Sequence, residues 1–446
     1  MAATKPALRK ELGLRDLVLF NVAALLSTRW IGVAAHVGPG AIGIWVLAAA
    51  LFLVPCAFVV ANLSRKFPEE GGLYIWTREA FGEWHAFACG WFYYLSNVFW
   101  IPGVLVASIG MLTYAFSPSF QRFAENPSFV LPIAVALLVL VVASNYVGLR
   151  VAKWVDNFGG LGAYVIVIVL LTCAVAAWMR PGPATKFNVV PSFDLQKLNF
   201  WSQFAFAMTG LELSPILAGE IRDARRNIFR ATWICAVLVV LYYVGGTGSI
   251  LTLLPPDKVS PVVGLAQAGQ EASNILGWRW PAFAIGLCIV LSVGGQLGTY
   301  VGACARLPFV LGIANLLPQS FAKLHPKYGT PYFSILFLGI TGGVLLFISQ
   351  LGETFRGAYQ LGVDLSVISL FIPFLYLFGA AWKFGQKWPA LCGLFVSAIA
   401  ILFSFLPTAD VRSAWWFEAK LIGGSIIFIA VPRIFYMRYR ARAHAL

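Results

Sequence analysis

Three ionisable side chains lie inside stretches of this 446-residue chain that are otherwise apolar: Arg29, Glu212 and Asp364. Arg29 is thirteen residues into the apolar run that begins at Asp16, or roughly 20 Å at 1.5 Å per helical residue. That depth is near the middle of a bilayer, where an arginine costs about 2.5–3.5 kcal/mol on insertion scales. The guanidinium must therefore face a polar interior, and an intramembrane charge of this kind predicts a functional site.

Three interpretations of Arg29 remain open on the residues alone. Its planar fork could receive the carboxylate of an anionic or zwitterionic ligand. Its fixed charge could instead stand in for a bound cation, which would make the protein independent of sodium. In the third interpretation Arg29 forms a structural ion pair with Glu212 or Asp364 and tethers helices without touching a ligand.

The buried carboxyl groups also support more than one role. Glu212 could bind and release a proton, or its oxygens could accept hydrogen bonds from backbone N–H groups at a helix break. Asp364 could attract a cationic ligand, carry a proton, pair with Arg29 or lie exposed in an outer vestibule, and we rank the last two first. Glu220, beside a basic loop, is expected to form a surface or gate salt bridge, with a part in closing an inner gate ranked second.

The chain is 60% hydrophobic and 11% charged, which is typical of a polytopic membrane protein. Twelve apolar windows of about 20 residues predict twelve membrane spans. These windows are 16–36, 42–63, 87–116, 129–149, 158–179, 200–219, 231–254, 281–305, 332–350, 358–381, 389–406 and 417–436.

The basic residues that produce the net charge of +14 lie mainly in the segments between these windows. With a cytoplasmic N-terminus, 22 of the 32 Lys and Arg residues fall in the inner segments, Arg306 among them. The positive-inside bias therefore predicts that both termini are cytoplasmic. The basicity then reflects topology and attraction to anionic lipid, and no nucleic acid partner is expected.

Two of the spans contain residues that disfavour a continuous helix. The first is loosened at "LLSTRWIG", and the sixth at Thr209, Gly210 and Pro215. The two interruptions are about 180 residues apart, a separation that matches five spans. Free backbone groups at membrane depth are tolerated only where they line a cavity or are held by protein. Equivalent breaks in two five-helix halves therefore predict a central ligand site.

Four segments combine prolines, paired glycines, aromatic residues and basic loops at characteristic spacing. They are "LSRKFPEEGGLYIWTREAFGEWHAFACGWFYYLSN" (63–97), "NYVGLRVAKWVDN" (145–157), "GLELSPILAGEIRDARRNIFRAT" (210–232) and "ARLPFVLGIANLLPQSFAKLHPKYGTPY" (305–332). From about Leu12 to about Phe384 the chain resembles the amino acid, polyamine and organocation transporter superfamily. Within it, "FPEEGGLYIW" and "IPGVL" are most similar to the glutamate:GABA antiporter and polyamine branches.

The resemblance implies an all-α membrane protein of twelve helices with a LeuT-like fold, built as a five-plus-five inverted repeat with helices 1 and 6 broken. It divides the chain into a cytoplasmic segment 1–15, a first repeat 16–180, a second repeat 200–384, and helices 11 and 12 with a cytoplasmic tail at 385–446. It also implies alternating access around a midplane site, and a bacterial inner membrane as the location.

The resemblance places the ligand site at the two breaks. The family's Gly-Ser-Gly break, followed by an aliphatic and an aromatic residue, aligns with "STRWI" at 27–31; because two glycines are missing, its backbone cradle for a carboxylate does not transfer directly. The fifth-helix lysine of many sodium-independent members is also absent, its position falling near Gly162 or Ala163. Phe206 aligns with the aromatic residue that covers bound substrate. The predicted substrate-binding residues are Ser27, Thr28, Arg29, Trp30, Phe206, Thr209 and Gly210, and the predicted coupling or gating residues are Glu212, Asp364 and Phe206.

These features predict a secondary active transporter for an amino acid or a related amine or carboxylate, coupled to protons or working by exchange, without sodium. A polyamine or organocation permease is the alternative. A channel is a remote alternative, because the chain has no carbonyl filter motif. The four histidines are scattered and no hydrolase or metalloprotease motif is present, so an enzyme, a metal and a cofactor are not predicted. The expected partners are a small molecule, protons and lipid; substrate identity and oligomeric state stay open.

Overall fold

The computed structural model describes residues 10–406 except 125, 181, 192–197, 279, 315 and 350–354, together with a few isolated positions beyond 406. Throughout this part of the chain the regular structure is helical, as predicted. The twelfth predicted span, 417–436, and the first nine residues of the predicted N-terminal segment lie outside the described residues, apart from those isolated positions.

Eighteen α-helices are described between residues 14 and 404. They are α1 Leu14–Leu25, α2 Thr28–Val37, α3 Gly40–Ala48, α4 Val54–Lys66, α5 Leu73–Phe81, α6 Glu83–Phe116, α7 Gln121–Ala124, α8 Pro127–Val147, α9 Leu149–Met179, α10 Leu198–Ala207, α11 Leu213–Ile216, α12 Ala224–Leu253, α13 Gly264–Leu276, α14 Trp280–Cys304, α15 Arg306–Ile313, α16 Tyr332–Ser349, α17 Phe355–Lys383 and α18 Lys387–Ser404. A π-helical turn, Ala49–Leu53, joins α3 to α4 just before Pro55, which cannot donate a backbone hydrogen bond.

Each of the first eleven predicted spans coincides with one of these helices or with a consecutive pair. Within the described residues, eight helices are long and apolar enough to cross a membrane, and α1 with α2 forms a further span bent by 42°. The helix α16 is apolar but shorter, and α10 with α11 occupies the sixth predicted span as two short pieces. The two predicted breaks are therefore confirmed.

Burial separates central helices from those that face lipid. The most apolar window of α6 is 83% buried inside the protein, whereas the corresponding windows of α8 and α18 are 28% and 33% buried. The lipid-facing side of α9 carries large apolar side chains such as Ile168 and Val175. The helix α6 therefore lies near the centre of the protein, and α14 and α17 pack against it.

A close helix crossing fixes the position of α14 against α9. Gly159 and Gly295 meet there, and a Cβ atom built on Gly159 would lie only 2.4 Å from the Cα atom of Gly295. Small residues let membrane helices approach in this way, and the approach supplies the packing that holds them together. The crossing positions the part of α14 that reaches the first helix break.

The chain ahead of α1 pairs with the segment that follows α11. Leu12 lies parallel to Ile221, with the Leu12 N–H donating to the Glu220 carbonyl oxygen at 3.1 Å and the Arg222 N–H donating to the Leu12 carbonyl oxygen at 2.9 Å. The Leu12 side chain is buried. This pairing links the two broken spans at one end.

Candidate functional site

The first break separates α1 from α2 at Leu26 and Ser27. Ser27 adopts an extended conformation, with φ −90° and ψ 117°, before α2 begins at Thr28. The first N–H groups of a helix have no intrahelical partner and give its N-terminus a partial positive charge. Both properties favour an anion at the start of α2.

The second break runs from Met208 to Glu212, between α10 and α11. Gly210 has φ +131°, a conformation that essentially only glycine adopts. A Cβ atom added to Gly210 would come 3.0 Å from Leu25 Cγ and 3.6 Å from Ala24 Cβ. The two breaks therefore lie directly against each other in the interior of the protein.

Arg29 lies at the second position of α2 and is only 2% exposed. Its guanidinium carbon is 4.0 Å from the centroid of the Trp30 ring and 6.0 Å from that of Trp100 on α6. The side chain thus faces the protein interior and not the acyl chains. Its charge and the N-terminus of α2 both attract negative charge at the same place.

Glu212 is fully buried, and both of its oxygens accept hydrogen bonds. The Tyr93 hydroxyl on α6 donates to Oε1 at 2.8 Å, and the Gly210 N–H donates to Oε2 at 2.8 Å. The expected ion pair of Arg29 with Glu212 or Asp364 stays a prediction. The geometry is that of the clamp interpretation, in which the carboxyl group satisfies backbone at the break.

Two aromatic rings lie over the breaks. Trp30, next to Arg29, meets Phe206 on α10 edge to face, with ring centroids 5.7 Å apart and an interplanar angle of 72°. Trp30 is 3% exposed and Phe206 is 7% exposed. The pair forms an apolar wall beside Arg29.

The small polar residues at the breaks are also buried. Ser27 donates its N–H to the Tyr243 hydroxyl at 3.2 Å, and Thr209 donates its hydroxyl to the Phe206 carbonyl oxygen at 2.7 Å. Thr28 is 2% exposed. The Thr209 hydroxyl therefore caps the end of α10, and the predicted substrate-binding residues from both breaks converge on one region.

Asp364 lies on α17 with its side chain fully buried. The expectation of simple exposure to an outer vestibule is therefore wrong for this conformation. A role in pairing, or in binding a proton or a cationic ligand, stays a prediction.

Sequence reasoning missed the partner of Glu220 and the burial of the ion pair that they form. Arg306, which begins α15, was expected in an inner loop, but its side chain is completely buried. Its Nε donates to Glu220 Oε1 at 2.7 Å and its Nη2 to Glu220 Oε2 at 3.2 Å. The salt bridge expected for Glu220 is confirmed. The usable signal was that apolar sequence continues on both sides of Arg306, as far as Ile313.

Two further carboxyl groups surround this ion pair. Glu70, on the turn between α4 and α5, has a buried Oε1 with no hydrogen-bond partner within the described residues, and a Cβ atom on Gly219 would lie 2.7 Å from its Oε2. Burial and the negative charge of Glu220 raise the pKa of Glu70 to about 8, against the opposing effect of Arg306. Asp156 on α9, 2% exposed, lies in the field of the same guanidinium. The Arg306 guanidinium therefore forms an ion pair with Glu220 and acts electrostatically on Glu70 and Asp156.

Tyr243 and Gln296 contact the first break and were also missed, because neither stands in a recognisable pattern. Tyr243 lies on α12 and Gln296 on α14. No cluster of three His, Cys, Asp or Glu residues suited to a metal ion occurs among the described positions. The buried Arg29 guanidinium can donate charge-assisted hydrogen bonds to an anionic group.

Comparison with known proteins supports this description. A family model described as amino acid permease matches residues 12–429. The chain is 26% identical to an uncharacterized transporter of Legionella pneumophila, with 97% of each chain covered. It is 21% identical to the probable agmatine/putrescine antiporter AguD of Lactococcus lactis, with 88% of each covered. It is 27% identical to the branched-chain amino acid permease BcaP of Bacillus subtilis, with 79% of this chain and 78% of that protein covered.

Among solved structures, the protein MhsT in complex with L-phenylalanine matches with a TM-score of 0.66. The match covers 90% of this chain and 99% of MhsT at 14% identity. At that identity the likeness shows the fold alone. It confirms the expected LeuT-like architecture.

Proposed function

Because the chain belongs to the amino acid permease family, we propose that this multi-pass membrane protein is a secondary active transporter that carries an amino acid or a related amine or carboxylate by alternating access. The observation that carries the proposal is the contact between the two helix breaks, where Gly210 lies against Leu25 beside the buried Arg29. In transporters with interrupted helices, substrate and coupling sites lie at such paired breaks near the bilayer midplane.

The charge at the breaks favours a substrate with a carboxylate group. The Arg29 guanidinium and the N-terminus of α2 both attract an anion, and the Trp30–Phe206 wall lowers the local dielectric, which strengthens that attraction. The relative BcaP is named as a branched-chain amino acid permease, which is consistent with a zwitterion. We assign the carboxylate to Arg29, and Ser27, Thr28, Thr209 and Gly210 to the walls of the same site.

A polyamine or organocation permease is the second candidate. It is favoured by the match to a probable agmatine/putrescine antiporter. A dication would be repelled by Arg29 unless a carboxyl group neutralised that charge. Asp364, buried on α17, is the residue to which we assign that role in a polyamine permease.

The transport cycle is assigned to protons or to exchange, without sodium. In related architectures, unwound backbone carbonyls coordinate the coupling cation. Here the Ala24 carbonyl oxygen accepts from Gln296 and the Leu25 carbonyl oxygen accepts from Tyr243, so neutral donors of the protein already satisfy them. Glu212 and Asp364 are the groups to which we assign a proton, and Phe206 is assigned the gate over the site.

We assign both termini to the cytoplasm, an orientation that the excess of Lys and Arg in the segments that would be inside supports. A bacterial inner membrane is assigned as the location by the resemblance to bacterial transporters. In that orientation the Glu220–Arg306 ion pair closes the cytoplasmic side, and Trp30 with Phe206 closes the outer side.

Purified protein in detergent, followed by reconstitution into liposomes, tests these assignments. The twenty L-amino acids, putrescine and agmatine are first screened by thermal shift, because a true ligand raises the melting temperature by mass action. We expect stabilisation by at least one amino acid, and its uptake in sodium-free buffer under an inward proton gradient or against internal counter-substrate. An absolute sodium requirement would overturn the coupling, and uptake of putrescine alone would establish the second candidate. A protein that neither binds nor transports any of these compounds is not an amino acid or polyamine transporter.

A further inference from the structure

The backbone of the first break is held by two side chains from two different helices. The Tyr243 hydroxyl on α12 accepts the Ser27 N–H at 3.2 Å and donates to the Leu25 carbonyl oxygen at 2.6 Å. The Gln296 amide on α14 donates to the Ala24 carbonyl oxygen at 3.0 Å. The Ser27 N–H also donates to the Leu25 carbonyl oxygen at 3.0 Å, so the main contribution of Tyr243 and Gln296 is to supply side-chain donors to the last two carbonyl groups of α1. Unpaired carbonyl groups in the membrane interior are energetically unfavourable.

We propose that Tyr243 and Gln296 are positioning residues that hold the first break open and thereby fix Arg29 and the N-terminus of α2 at the substrate site. The inference rests on the function proposed above. Without the Tyr243 hydroxyl, Leu25 and Ser27 keep only the hydrogen bond to each other, and winding the break back into helix would recover the bonds that are lost. Rewinding would turn α2 about its axis and move the Arg29 side chain away from the proposed substrate site.

Tyr243 is itself held firmly. Its ring stacks on Trp45 of α3, with centroids 4.3 Å apart and an interplanar angle of 13°. The Trp45 indole N–H donates to the Thr247 hydroxyl at 3.0 Å, which fixes the plane of the stack. On its other side Trp45 meets Phe204 of α10 at 4.4 Å. One row of rings therefore links the hydroxyl at the first break to the outer half of the second broken span.

The neighbouring residue provides a matched control. Tyr242 is also buried on α12, and its ring meets that of Tyr243 at 5.3 Å, but its hydroxyl has no hydrogen-bond partner among the described residues. Tyr242→Phe and Tyr243→Phe each remove one buried hydroxyl from adjacent positions and keep the ring. Only the second change touches the break.

Hydrogen exchange of the full-length protein in detergent measures the break directly. We expect Tyr243→Phe to change amide exchange at least threefold in the peptide that contains residues 22–30, and Tyr242→Phe to leave it as in the wild type. Gln296→Met is expected to alter the same peptide, because it removes the donor to Ala24. Equal exchange in wild type and Tyr243→Phe would overturn the proposal.

Binding of L-leucine and L-serine, measured by thermal shift, links the break to the site. We expect Tyr243→Phe to weaken the better of these two probes about tenfold, and Tyr242→Phe to bind it as the wild type does. Altered exchange with unchanged binding would overturn the positioning role. If the wild type binds neither L-leucine, L-serine nor any other member of the screen, the proposed function fails, and the exchange experiment alone decides whether Tyr243 holds the break.

Discussion

Gly210 and Leu25 are in contact across the two helix breaks, so that a Cβ atom on Gly210 would lie 3.0 Å from Leu25 Cγ. The contact depends on Gly210 having no side chain and on its φ of +131°. It places the irregular backbone of each broken span against that of the other.

We expect Gly210→Ala to separate the breaks. The backbone strain alone is roughly 1–3 kcal/mol, and the methyl group must also displace Leu25. The variant should melt at a lower temperature and lose uptake in liposomes. Gly248→Ala on α12 is the control, because nothing lies within 4 Å of its added Cβ atom and its backbone is helical. Wild-type stability in Gly210→Ala would contradict the contact.

Replacement of Arg29 separates a binding role from a tethering role. Arg29→Ala should abolish uptake of the identified amino acid while the protein stays folded in detergent. Arg29→Lys keeps the charge but loses the planar fork, and should weaken binding by roughly 10- to 100-fold. Thermal shift and uptake measure both effects, with Arg78→Lys, at an exposed position, as the control. Unchanged affinity in Arg29→Ala would reject the site role, and loss of folding would favour the tether.

We expect the ion pair between Glu220 and Arg306 to stabilise the conformation in which the cytoplasmic side is closed. Glu220→Gln leaves the Arg306 guanidinium buried without its counter-charge, a change that typically costs about 3–5 kcal/mol. We expect a lower melting temperature and greater accessibility from the cytoplasmic side, read as faster labelling of a cysteine introduced at the buried Ser214. Glu79→Gln breaks an exposed ion pair with Arg78 and should change stability by less than about 1 kcal/mol. Similar effects of both substitutions would show that burial is not decisive.

Glu70 should make stability depend on pH. Its ordinary pKa of 4.5 is raised to about 8, chiefly by burial and further by Glu220. Between these values the folded protein holds a proton that the unfolded chain has released, so the free energy of unfolding falls as the pH rises. Below about pH 4.5 the stabilising effect is complete, and above about pH 8 it is lost.

Melting temperatures between pH 5 and pH 8 test this dependence. We expect the wild-type melting temperature to decline across the range and Glu70→Gln to show a shallower decline. Glu69→Gln changes the exposed neighbour on the same turn and should follow the wild type. Identical slopes in Glu70→Gln and wild type would assign the dependence to other groups.

Glu212→Gln tests the assigned coupling role. The amide oxygen of the glutamine can still accept a hydrogen bond from the Gly210 N–H, so the backbone of the second break should keep its conformation. The side chain can no longer take up a proton, and we expect uptake driven by a proton gradient to disappear while exchange of internal for external substrate persists. Proton-driven uptake at the wild-type rate would exclude Glu212 as the proton carrier.

The breaks could be predicted from the sequence because they depend on local chemistry. Gly210 and Pro215 weaken a helix locally, and Arg29 in an apolar run requires a polar interior. The distant side chains that form hydrogen bonds at the breaks could not be predicted in this way. Tyr93 is 119 residues from Glu212, and Tyr243 is 216 residues from Ser27. Such pairs are defined only after helices pack.

Arg306 shows a different reason for failure. A window of about 20 residues ends the eighth span near residue 305 and assigns the next charge to a loop. Helical structure continues through α15, and the guanidinium is satisfied by Glu220 instead of by water. Hydropathy alone treats each charge as unpaired, so a charge with a distant buried counter-ion is assigned to the wrong environment.

The short pairing of Leu12 with Ile221 has a mechanical consequence. The Glu220 carbonyl oxygen accepts a hydrogen bond from Leu12, and the Glu220 side chain pairs with Arg306. A displacement of the chain ahead of α1 therefore also displaces one partner of the salt bridge. Any motion that separates α1 from the segment after α11 must therefore first break the three backbone hydrogen bonds donated by the N–H groups of Glu11, Leu12 and Arg222.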